Sequence, residues 1–563
     1  MAVWLLQKAG RFKRKKRESE SFMSGVLVLS ISTVIVKVIG LAYKIPMLSY
    51  LGAEGMGLFH SAYEIYAMLC VVSTAGLPVA LSMLISVKRQ RGDLRGMERT
   101  RRVAMSVFFV LGAFGALGMS CCSAAVSRWI GNEEACFSIV AIAPALFFVC
   151  IASAYRGYFQ GLNRMGPTAV SQLIEAVGKL VFGVIFARWA VKKGWELPWV
   201  SAAAITGISL GALLSVLYLF VVRHLCNKEK TELTMPSDSV KKAKSASDLL
   251  LLLRISIPIT LSASVFSITR ISDMALIMRR LQTIGVSVTE ANRIYGAYTT
   301  LSLPVFSLIP ALITPISLAL VPQLSAAIES GFSGRQESVV ERSLKMTTLL
   351  SIPAGMGICV YANPILSMLF PSEQEAISLA APLLSILGPS ILFSGMITTT
   401  NAMLQSYRKE TKPILSMTIG AVVKIVSAYW LIGNPSVGVI GAPISTFLCN
   451  GTVTLLNLRF LRDCFPEKRI PASVGTVFYK PLIASALSVG LSFVGYLWVV
   501  ERGAQSTTAG FLVACTLATV SYFVLAIFWG LLTREDLSFI KIFDRKNTER
   551  KYKNKKGYKH DGS

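Results

Sequence analysis

Lysines and arginines stand within apolar stretches of this sequence, at Lys37, Lys44, Lys179, Arg254, Arg270 and Lys424, against the acids Glu64, Glu175 and Asp273. An ammonium at the centre of a lipid-spanning helix costs on the order of 3 kcal/mol, so such a residue is expected to face a partner or a water-filled cavity. The balance is basic and favours an anion. A diphosphate suits it, because its oxygens accept several charge-assisted hydrogen bonds, whereas a neutral sugar has no need of the charge.

The spacing of these residues separates their roles. Lys37 has no acid within four residues of its own helix and is expected to line a cavity. Glu175 precedes Lys179 by four, the order that favours an ion pair along one helix face. Lys424 has Gly420 where that acid would be. Arg270 and Asp273 are three apart and in part neutralise each other, while Lys44 and Arg254 lie near span ends where long side chains snorkel. The expected anionic-headgroup set is Lys37, Arg270, Lys424, Lys179 and Lys44, with Asp273, Glu175 and Glu64 as coupling or ion-pair residues.

Chemistry that converts a substrate finds no support. The three histidines, His60, His224 and His560, fall in expected loops or tails, and no nucleophile–base set, phosphate loop or paired metal ligands can be assembled. The ten cysteines show neither metal spacing nor a disulfide framework. No catalytic residue, metal or cofactor is expected: the protein moves something and is not an enzyme.

The elements that must hold these charges are membrane helices. At 563 residues, 53% hydrophobic and 15% charged, the chain is too apolar for a soluble multidomain protein, and its mean hydropathy is +0.58. A net charge of +27 raises the question of nucleic acid, but the basic residues lie in short loops and two tails, so topology accounts for them. Fourteen spans are expected, at 22–45, 62–87, 103–126, 135–160, 167–190, 198–222, 249–276, 295–325, 343–363, 376–404, 413–433, 437–460, 477–500 and 508–532. Lys and Arg crowd the tails and the loops after even-numbered spans, which puts both termini in the cytoplasm.

Internal similarity groups the spans. Sliding Ser24–Tyr50 along by 233 positions places Lys37 over Arg270. Further on, Pro78 falls on Pro315, and Gln160, Ser171 and Lys179 fall on Gln405, Ser416 and Lys424 at a shift of 245. The expected fold is an all-α polytopic membrane protein with two pseudo-symmetric six-helix lobes around a central cavity, plus two C-terminal helices. Its parts are a basic tail at 1–21, an N-lobe at 22–222, a cytoplasmic linker at 223–248, a C-lobe at 249–460, the last two spans at 477–532 and a second basic tail at 533–563. Met23 stands at the start of the first span as an alternative initiation site. Proline removes a backbone donor and bends a helix, which makes Pro78, Pro304, Pro310 and Pro315 candidate gating residues.

Four stretches carry a resemblance: VKVIGLAYKIP (Val36–Pro46), LGAEGMGLF (Leu51–Phe59), GLPVALSMLIS (Gly76–Ser86) and RGYFQGLNRMGPTAVSQLIEAVGKL (Arg156–Leu180). They resemble the stage V sporulation protein B family of polysaccharide-biosynthesis membrane proteins. That family belongs to the multidrug/oligosaccharidyl-lipid/polysaccharide (MOP) exporter superfamily, with the MurJ-type lipid II flippases. The resemblance implies alternating access and export of undecaprenyl-diphosphate-linked sugars for cell-wall synthesis, in sporulating bacteria for the spore cortex. Where the lipid II flippases carry an arginine in the first span, this chain has Lys37; six residues on, a second arginine is replaced by Tyr43, with Lys44 beside it.

The implied partners are a lipid-linked oligosaccharide, membrane lipids and a coupling ion, Na+ or H+, with no nucleic acid. Two rivals remain open. A drug/cation antiporter of the same superfamily requires acids facing the cavity, and a non-transporting scaffold for wall-synthesis enzymes requires the basic tails.

Overall fold

The computed structural model describes the backbone of residues 2–231, 245–465, 473, 475–501 and 507–531, so half of the expected 223–248 linker and all of the tail 533–563 lie outside the described residues. In chain order the helices are α1 (Ala2–Thr74), α2 (Leu77–Gln90), α3 (Leu94–Cys121), α4 (Ser123–Ile130), α5 (Ala135–Gly161), α6 (Met165–Lys192), α7 (Leu197–Thr231), α8 (Ser245–Thr283), α9 (Val288–Ala297), α10 (Leu303–Glu329), α11 (Ser333–Leu369), α12 (Gln374–Leu387), α13 (Ser390–Ser406), α14 (Thr411–Ile432), α15 (Gly441–Arg462), α16 (Lys480–Glu501) and α17 (Thr507–Phe528). No strand occurs among the described residues. Among the described residues twelve helices are long and apolar enough to cross a membrane, or up to thirteen when Gln374–Leu387 and Ser390–Ser406, bent by 52°, count as one span. Backbone groups in lipid must bond within their own segment, which is why long apolar runs settle as helices.

The difference from fourteen has a local cause. The stretches 22–45 and 62–87 belong to one run, Ser32–Gln90. Between them α1 is broken only at Gly52, whose φ of 64° is open to glycine and costly for other residues. Residues 53–74 then continue as helix, so His60, expected in a loop, is helical and buried.

Two compact units are described, Met1–Pro304 with Leu369–Leu383 and Met417–Cys449, and Val305–Met368 with Leu384–Ser416 and Asn450–Ser563. The first takes in helices from both sides of the linker. Within it α6 and α7 meet backbone to backbone: a Cβ on Gly178 would lie 2.7 Å from the Cα of Gly211, and Gly183 faces Gly207 in the same way. Small residues let membrane helices approach closely, and here they fix the position of Lys179.

The same unit ties α8 and α9 to the earlier helices at two places. Asp248, at the start of α8, accepts from Lys88 Nζ at 2.8 Å on α2, and from Arg99 Nε at 3.0 Å and Thr100 Oγ1 at 3.1 Å on α3. Asn132 donates from Nδ2 to Asn292 Oδ1 at 2.7 Å and to Ser61 Oγ at 3.1 Å, all three buried. Beside that network Gly57 lies against the backbone of Asn292, and Gly296 against the carbonyl of Ala53, with no room for a Cβ.

In the second unit, Leu320, Leu324, Leu344, Met403, Leu461 and Val477 form one buried cluster. Tyr361 packs with Val489, Phe511 and Ala514, which seats α16 and α17.

Candidate functional site

The charged side chains that the first unit brings together come from four helices, α1 on both sides of its break, α6, α8 and α14. On the first arm of α1, Lys44 Nζ donates to the carbonyl of Thr299 at 2.7 Å. On α6, Lys179 Nζ stands 4.9 Å from the ring centroids of both Tyr43 and Tyr63, a cation held between two aromatic faces. The second arm of α1 supplies Glu64, buried, whose Oε1 accepts from Arg270 Nη2 of α8 at 2.7 Å, while the Arg270 side chain remains 57% exposed. One turn further along α8, Asp273 accepts from Lys424 of α14. The field at Lys44 carries contributions from Lys179, Glu64 and Arg270, and that at Asp273 from Lys424 and Arg270, so the six groups form one electrostatic cluster.

Within this cluster Arg270 and Lys424 each have an acid, and Lys44 and Lys179 have none among the described residues. Net positive charge is left on two ammonium groups in the middle of apolar helices. One rests on a carbonyl and the other on two π-faces. Both are weaker holds than a carboxylate, and both leave a cation able to meet an anion.

A polysaccharide biosynthesis protein family model matches residues 22–327, more than half of the chain, and a MatE model matches residues 296–430. The chain belongs to the polysaccharide biosynthesis protein family. With it comes membership of the MOP superfamily. Stage V sporulation protein B of Bacillus subtilis (strain 168) is 25% identical over 539 residues, which cover 93% of this chain and 99% of that protein. Lipid II flippase MurJ of the same organism is 27% identical over 431 residues, 72% of this chain and 77% of its own. Among solved structures, lipid II flippase MurJ in an inward closed conformation superposes with a TM-score of 0.68 at 15% identity, covering 89% of this chain and 99% of that one, a likeness of fold.

In this polysaccharide biosynthesis protein Lys37 and Arg254 are not among the six, and Glu175 acts on Lys179 only through its field. Lys37 is exposed on α1, two turns before Lys44, and Arg254 is exposed on α8. Glu175 does not take Lys179 as its partner: its Oε2 accepts from Arg156 Nη2 at 2.7 Å. Arg156 also reaches Ser171 Oγ at 2.9 Å and Ser215 Oγ at 3.0 Å, which makes it the hub joining α5, α6 and α7.

The four prolines occupy unlike settings. Pro78 stands in the first turn of α2, where an N–H would be without a helical partner in any case. Pro304 is the second residue of α10, one past the Leu303 that closes the widened turn Tyr298–Ser302, and Pro310 is half-buried in α10. The backbone of Pro315 is helical, and its side chain lies outside the described residues.

Several members of the site were invisible in the sequence pattern. His60 is buried, its Nε2 has no hydrogen-bond partner among the described residues, and it feels Lys44, Lys179 and Arg270. Tyr43 and Tyr63, which embrace Lys179, sit on opposite arms of α1, and only the break at Gly52 brings them to one ammonium. Two aromatic residues twenty apart give no signal of a shared target.

Proposed function

We propose that this protein is a flippase. It carries an undecaprenyl-diphosphate-linked sugar, lipid II or a related cell-wall or polysaccharide precursor, across the bacterial cytoplasmic membrane by alternating access. The observation that carries this reading is the pair of lysines without acids, Lys44 and Lys179, inside membrane-crossing helices beside the Glu64–Arg270 and Asp273–Lys424 pairs. A diphosphate brings the negative charge that such a cluster lacks, and oxygens in sufficient number to engage several donors at once. The sugar would follow in the polar space and the polyprenyl chain would stay in lipid.

Lys37, exposed and nearer the chain's start, is the proposed point of first capture. The names of the relatives, a lipid II flippase and a stage V sporulation protein, support the same cargo class, with spore-cortex precursor as one form of it. The two lobes, 22–222 and 249–460, are the proposed moving parts, with both termini in the cytoplasm. Glu64 and Asp273 are the proposed coupling groups: exchanging their basic partner for the cargo would leave each free to take Na+ or H+, and the membrane potential contributes about 2.3 kcal/mol per charge per 100 mV.

The test is depletion of the protein in cells followed by measurement of lipid-linked precursor in the inner leaflet, with Lys179→Ala and Arg270→Ala beside wild type. Trapping of precursor in both variants is the expected result. Free passage of precursor in both, or flux of Na+ or H+ stimulated by cationic dyes, would replace this reading with the antiporter.

A further inference from the structure

A widened turn joins α9 to α10, and its hydrogen bonds assign a donor to each carbonyl in order. Leu303 N–H donates to the carbonyl of Tyr298, five residues back instead of four. The next donor in that pattern would serve Thr299, but the next residue is Pro304, which has no N–H. The carbonyl of Thr299 therefore depends on a donor from elsewhere. That donor is Lys44 Nζ, 255 residues away, at 2.7 Å. In the same turn the buried hydroxyl of Thr300 has no partner among the described residues, so the turn is incompletely satisfied as it stands. Single widened turns of this kind inside helices are frequent at functional sites.

We propose that Lys44 is a two-position switch: it caps the Thr299 carbonyl when no cargo is bound, and leaves it for a phosphate oxygen when the headgroup arrives, so that capture unlocks the turn before Pro304. This rests on the diphosphate reading above. A phosphate oxygen outcompetes a neutral carbonyl for an ammonium, since a bond between two charged groups is stronger than one with a single charge. Once Lys44 leaves, the Thr299 carbonyl is bare and buried, which a helix does not sustain. The nearest N–H that can cover it belongs to Leu303. That one donor must then serve Tyr298 and Thr299 by turns, so the turn opens and recloses between two registers, its N–H groups are freed in passing, and the side chains beyond it swing by one residue's rotation, about 100°. Lys44 is then a positioning residue for the hinge as well as a ligand, and Pro304 is what makes the hinge depend on it.

The switch is tested in nanodiscs by hydrogen–deuterium exchange of the segment 298–303, with undecaprenyl diphosphate as the probe and wild type, Lys44→Met, Pro304→Ala and the double variant compared. In wild type the probe should speed exchange in this segment. Lys44→Met should show the faster exchange with no probe present. Pro304→Ala restores a backbone donor, so its exchange should ignore the probe, and the probe should bind about tenfold more tightly, the factor that one hydrogen bond to a charged group is worth. The double variant should regain the protection that Lys44→Met alone loses. Should Lys44→Met fail to fold, wild type and Pro304→Ala still decide the matter. Unchanged exchange in wild type with the probe bound, or a response in Pro304→Ala equal to that of wild type, overturns the switch and leaves the flippase reading standing. Absence of probe binding to wild type overturns the flippase reading itself, and the switch with it.

Discussion

The turn that ends α5 and the turn that ends α13 have the same backbone, and what packs behind them differs. At the first, Asn163 takes a φ of 55°, its N–H donates to Gln160, and that of Arg164 to Phe159; at the second, Arg408 takes 57°, donates to Gln405, and Lys409 donates to Leu404. The two are 245 residues apart, the spacing that aligns Lys179 with Lys424. Behind the first turn lies a charged hub, Arg156 with Ser171, Glu175 and Ser215. Behind the second lies a neutral one, in which Asn457 donates to Asn401 at 2.8 Å and to Thr400 at 3.0 Å and accepts from Ser416 at 2.5 Å.

Asn401 occupies the place of Arg156, and Gly420 that of Glu175. The scaffold is kept while its charge is not. The acid of the first hub is committed to Arg156, so Lys179 is left to the tyrosines. Where the second half has no such acid, Lys424 finds Asp273 on α8 instead.

Stability should follow this contrast. Arg156→Ala strands a partly buried Glu175 and should cost about 3 kcal/mol, lower than a fully buried pair because Glu175 keeps some access to solvent. Asn457→Ala removes only neutral bonds and should cost about 2 kcal/mol. Thermal unfolding in detergent measures both, and an equal loss would erase the distinction between the hubs. Lys424→Met leaves Asp273 without its partner and should lower stability by about 2 kcal/mol, whereas Lys179→Met gives up cation–π contacts worth about 1 kcal/mol. For precursor transport the order should reverse, with Lys179→Met the more damaging; if transport tracks stability in both, the lysine on the tyrosines has no special part. The smallest effects belong to the turns. Arg408→Gly should raise stability by about 1 kcal/mol and Asn163→Gly by less, since asparagine tolerates a positive φ better than arginine does.

Much of this was legible in the residues alone. Apolar runs of span length announced the helices, and the charges inside them announced the site. Their partners were not legible, because each comes from far away in the chain: Glu64 and Arg270 are 206 positions apart, and Lys424 and Asp273 are 151 apart. Local spacing instead suggested Glu175 for Lys179 and Asp273 for Arg270, and in both cases a residue on another helix won. Pro304 was readable as a bend; that its missing donor is made good by Lys44 was not. The helical course of 53–61 was missed because the glycines of LGAEGMGLF look like a loop, whereas only Gly52 leaves helical geometry.

The paired contacts of Gly57 on Asn292 and Gly296 on Ala53 set a limit on how this protein can vary. A single methyl at either position would act as a wedge, forcing α1 and α9 apart beside the Asn132–Asn292 amides. Alanine there is a ready means of propping that end ajar, and a survey of tolerated substitutions should find hydrogen the one side chain accepted at both.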